Sequence, residues 1–220
     1  MIFSNQARLF GIGTGIGTIL LSALYVGVLA VGLATLPAPD APIADPWFTA
    51  MEILILLLMP FMTGFMVAVH AFSRPERRVF SLTAVLLMAM VATLTCIVHF
   101  SILSLARQPE FAGWELVFSF RWPSVVYALD ILAWDVFFAV SMLCAAPVFA
   151  GGGLRRVIRL TLFLSAILSF AGLAGIAAAD MQLRNIGIIG YVVTFPLAVA
   201  MTVVLFARTP PDMAKIGRAH

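Results

Sequence analysis

Asp130 and Asp135 stand in an otherwise apolar stretch running from Trp122 to Pro147. Carboxylates in such a setting can carry protons, balance a cation or hold a polar ligand. At the centre of a bilayer each costs roughly 2.5–3.5 kcal/mol. The two together therefore cost about 5–7 kcal/mol if they face lipid, so they are expected to face other helices or a wet cavity. Glu52 and His99 lie in apolar runs of their own. A Glu/His/Asp set inside a membrane bundle fits a proton relay, a cation site or a substrate site, with Glu52, His99 and Asp130 as the weak metal-ligand candidates. A buried network that only fixes helix packing uses the same residues.

Depth follows from helix rise. Asp130 lies nine residues beyond Arg121, about 13 Å of helix. His99 lies eight residues before Arg107, about 12 Å, and Glu52 seven residues after Asp45, about 10 Å. These three share nearly one level, and Asp135 is deeper. On an α-helix, Asp135 falls about 140° around from Asp130. The two aspartates are therefore expected to contact different neighbours and to form two sites. Tyr127, Asp130, Trp134, Phe138 and Ser141 follow three-four spacing and line one face. The Tyr127–Asp130–Trp134 part of that face could stack an organic ligand. Further candidates are Arg121, His70 near the other end of its helix, and Asp180 with Arg184, expected to pair locally at the surface.

Composition says which elements must carry these residues. Of 220 residues, 63% are hydrophobic and 10% charged, and the mean hydropathy is +1.10. A soluble domain of this length cannot hide that much apolar surface. The net charge of +3 is scattered among short loops and does not indicate a nucleic-acid surface. Cys96 and Cys144 lack metal or redox spacing and read as packing residues. There is no GxSxG, no HExxH and no nucleotide loop; Gly11, Gly13, Gly15 and Gly17 instead suit close helix approach. No cofactor is expected.

About 20 apolar residues cross a bilayer. Six stretches qualify, near 10–36, 47–72, 79–106, 122–147, 155–179 and 186–207. The fold class is all-α, a single transmembrane bundle over 1–214, with kinks at Pro60 and Pro196. The first run continues past Ala30 without a small-residue cleavage pattern, so it is expected to be retained. Arg74, Arg77, Arg78, Arg155, Arg156 and Arg159 fall in or beside the even connections, with Arg8 before the first span and Arg208 after the sixth. By the positive-inside rule both termini are cytoplasmic. The closing Lys-Ile-Gly-Arg-Ala-His, residues 215–220, would be encoded by AAG ATC GGA AGA GCA CAC, which contains a common sequencing-adapter sequence. It is expected to be read-through, and His220 is left out of the site.

The segments WPSVVYALDILAWDVFFAVSMLCAAPVF from Trp122 and DMQLRNIGIIGYVVTFP from Asp180 resemble uncharacterised bacterial six-span membrane proteins of the DUF4386-like type. The resemblance implies a multi-pass protein of the bacterial inner membrane, with the bilayer as its partner and no assigned activity. The residues themselves favour an outward polar pocket that binds or moves a proton, cation or small molecule. A membrane enzyme and a structural or partner-binding subunit are the alternatives.

Overall fold

The computed structural model describes residues 3–38 and 41–210, so the 215–220 tail lies outside the described residues. Among them the fold is all-α, without a strand. Six helices are long and apolar enough to cross a membrane: Asn5–Ala34, Trp47–Phe72, Pro75–Ser104, Val125–Val148, Leu154–Ala177 and Met181–Arg208. Their positions match the apolar stretches, with two informative differences at the starts. The first span begins at Asn5 because the Ser4 hydroxyl accepts the Ala7 N–H at 3.1 Å. The sixth begins at Met181 because the Asp180 carboxylate accepts the Gln182 N–H at 3.0 Å. That early start brings Arg184 into the span.

Successive spans lie side by side and the sixth returns to the first, closing a ring. The first span docks closely through glycine. A Cβ on Gly11 would come within 2.7 Å of the Ala68 Cβ, and one on Gly15 would meet Phe65 at 3.2 Å. Their bare backbones let the first and second helices approach. At one end of the bundle Phe3, Phe72, Phe149 and Phe206 stack together. Ring centroids are 5.0 Å apart for Phe3–Phe206, 5.2 Å for Phe72–Phe206 and 6.2 Å for Phe72–Phe149. The start of the first span therefore lies beside the ends of the second, fourth and sixth, as an up-and-down bundle requires.

The fourth and sixth spans depart from α geometry where they pass the middle. Leu132–Phe137 and Gly190–Thr194 each form a π turn. The second lies just before Pro196, which has no N–H to give an α ladder, and the wider turn accommodates it. Pro60 sits within the unbroken helix Trp47–Phe72. Between the third and fourth spans, short turns at Pro109–Phe111 and Glu115–Phe118 lead the chain back over the end opposite the phenylalanine cluster.

Candidate functional site

Five ionisable side chains from four spans meet below that chain return. From the second span comes Glu52, 2% exposed; from the third His99, 4%; from the fourth Asp130, 5%, and Asp135, 0%; from the sixth Arg184, 4%. The His99 Nδ1 lies 2.8 Å from the Glu52 Oε2. The His99 Nε2 faces the Asp130 Oδ1 at 3.7 Å, an ion-pair separation longer than a hydrogen bond. Arg184 donates from Nη2 to the Asp130 Oδ2 at 2.7 Å and from Nε to the Asp135 Oδ2 at 3.1 Å. Its guanidinium stacks 4.6 Å over the Tyr127 ring. The result is one continuous chain, Glu52–His99–Asp130–Arg184–Asp135.

Local structure explains each placement. The Ser124 hydroxyl accepts the Tyr127 N–H at 3.2 Å and starts the fourth span, which fixes the height of Asp130. The π turn from Leu132 then widens the helix, so the 140° separation expected of Asp130 and Asp135 does not hold. One arginine reaches both carboxylates, and the two sites expected from α-helical spacing are one. The expected surface pair of Asp180 with Arg184 is likewise replaced. Asp180 caps its own turn, while Arg184 points inward, where two desolvated carboxylates bind it more strongly than an exposed one.

A shared metal at Glu52, His99 and Asp130 does not fit. The two carboxylates approach opposite nitrogens of one imidazole, so no single point lies within ligand distance of all three. Among the described residues no His/Cys/Asp/Glu group of three is arranged to hold a metal ion. His70 takes no part: it lies toward the other end, with Nδ1 2.8 Å from the Ser81 hydroxyl.

Beside the charged chain lies a cavity of about 630 Å³, a size suited to a small molecule. His99, Asp130, Tyr127, Trp134 and Arg184 reach it, as does Arg121 at the rim. Glu52 and Asp135 sit behind its wall. The cavity adds two residues not singled out as site candidates from the sequence, Tyr25 of the first span and Tyr191 of the sixth; Tyr191 lies 4.9 Å from Trp134 ring to ring. Tyr191 falls on a small-and-polar face with Gly187 and Thr194, a legible signal. Tyr25 sits in an apolar run with none. Asp135 is seated at a glycine crossing. A Cβ on Gly187 would come within 2.8 Å of its Oδ1, and one on Gly172 within 3.0 Å. That Oδ1 has no hydrogen-bond partner among the described residues.

Charge counting defines what the arrangement can do. Three carboxylates face one guanidinium and one imidazole. Even with His99 protonated, one negative charge remains in excess, and a buried uncompensated charge is costly. A further proton on a carboxylate, or a ligand that brings one, restores the balance. No protein-family model, curated protein or solved structure matches this chain.

Proposed function

We propose that the chain is a multi-pass protein of a bacterial cytoplasmic membrane that binds a small molecule in an outward-opening cavity. The charged chain behind the cavity holds and releases a proton as the ligand comes and goes. Both termini and the even connections face the cytoplasm in this reading. The arginine-rich even connections and the start of the first span lie at the end away from the cavity mouth, which supports that orientation. The single observation that carries the reading is the cavity wall itself: an unbalanced Glu52–His99–Asp130–Arg184–Asp135 chain opens onto it at His99, Asp130 and Arg184. A cluster that served only packing needs neither a cavity nor an excess charge.

Thiol accessibility tests this. Ile188 lines the cavity. With Cys96 and Cys144 changed to alanine, Ile188→Cys is expected to react with a membrane-impermeant thiol reagent added outside intact cells. No reaction from either face would mean a sealed structural cluster and end the proposal. Reaction from the cytoplasmic face alone would reverse the orientation.

A further inference from the structure

The shape and charge of the cavity together name a ligand class. Its lining on the second span runs from Phe48 past Ile55 and Leu58 to Met62. Phe48 and Met62 are fourteen residues apart, about 21 Å of helix. The volume of about 630 Å³ is thus spread along most of that helix, so the space is elongated. The charged side chains lie near the mouth, at the level of Glu52. Below them Ile55, Leu58, Met62 and Phe195 leave an apolar pit.

The polar groups that face this space are mostly donors. Arg121 stands at the rim and Arg184 on the wall, with His99 beside it. The one carboxylate that reaches the cavity, Asp130, is already bound by the Arg184 Nη2 at 2.7 Å. The Arg184 Nη1 has no hydrogen-bond partner among the described residues, nor do the hydroxyls of Tyr25 and Tyr191, two residues that line the same cavity. All three can donate to an acceptor placed in the cavity. A second cation would meet two arginines and no free carboxylate.

We propose that the cavity takes a single-chain anionic amphiphile, its carboxylate or phosphate head between Arg121 and Arg184 and its hydrocarbon chain in the pit toward Met62. This rests on the cavity reading above and adds the ligand class. An anionic head deepens the excess negative charge of the cluster, so binding brings in a proton and weakens as pH rises.

The test compares heads on one chain length. Myristate, tetradecyltrimethylammonium and tetradecanol are titrated, each below its micellar concentration, against Ile188→Cys protein in nanodiscs, reading protection from the thiol reagent. Myristate is expected to protect at about tenfold lower concentration than either of the others. Arg121→Gln, a change at an exposed residue, is expected to weaken that protection about tenfold while leaving tetradecanol unaffected. Equal protection by all three, or better protection by the ammonium, overturns the ligand class. Unchanged myristate protection in the Arg121→Gln protein overturns the placing of the head. In either case labelling without ligand still reports the cavity, so the failure of this inference and of the cavity reading are separate results.

Discussion

At the cavity end of the bundle, five ionisable side chains from four helices are joined through one guanidinium and one imidazole. At the opposite end, Phe3, Phe65, Phe72, Phe149 and Phe206 fill the space between helices with rings. The charged region is buried and the ring cluster buried or half-buried, but they are organised by different rules. The phenylalanine end depends on shape: a ring is surrounded by many weak contacts, and no single one decides the packing. The charged end depends on balance, because each group there is tolerable only while its partner is present. The proposed function is placed where balance rules, since balance can be shifted by one proton or one ligand.

Removing Arg184 is the strongest way to break this contrast. Arg184→Gln leaves Asp130 and Asp135 without their shared partner and is expected to cost about 3–5 kcal/mol of stability, read as loss of monodisperse protein or a lower melting temperature in detergent. The double variant with Asp130→Asn should recover part of that loss. If the single variant melts within 1 °C of the native chain, the ion chain is not holding these spans together. At the other end, Phe206→Ala should cost less, about 2 kcal/mol, because lipid already solvates apolar surface and only the packing loss remains. A Phe206→Ala cost above that of Arg184→Gln would invert the comparison.

The smallest effect sharpens it. Asp45, Thr49 and Arg107 lie at the cavity end but in the open. The Thr49 hydroxyl donates to the Asp45 Oδ1 at 2.5 Å, and Arg107 lies 3.1 Å from its Oδ2. The Thr49 hydrogen bond, helped by Arg107, holds the Asp45 carboxyl below the ordinary value of 3.8. A depressed carboxylate adds stability above its ordinary titration range and loses it as pH falls through the folded value. A slight fall in melting temperature is therefore expected below about pH 4, absent in Asp45→Asn. A fall as large as that of Arg184→Gln would show that burial is not what separates the strong network from the weak one.

The sequence carried the bundle well because membrane crossing is a requirement on length. The second span, Trp47–Phe72, was legible from apolar run and punctuation alone. Height along the bundle was legible too, since rise per residue is fixed, and the level shared by Glu52, His99 and Asp130 follows from it. What lies beside what was not. α-Helical spacing turns Asp135 to the wrong side, and nothing in Leu132–Phe137 announces a wider turn. Nearness in sequence pairs Arg184 with Asp180, whereas the fold turns it inward. Charge balance was the available signal: three carboxylates at bilayer depth need a cation, and Arg184 lies at the edge of an apolar run that could carry it inward.

The π turn in the fourth span has a consequence at the level of the gene. A π turn is an α-helix with one residue to spare, and the spare residue is what lets Asp135 meet the arginine that also holds Asp130. Deleting a single codon between Leu132 and Phe137 would return the helix to ordinary winding and leave its apolar length sufficient to cross. Were the lost codon that of Ala133 or Trp134, the two carboxylates would stand four residues apart, about 40° around an ordinary helix, and would still face one partner. The π turn thus absorbs one codon while keeping both carboxylates, and the rest of the span, in phase with their neighbours.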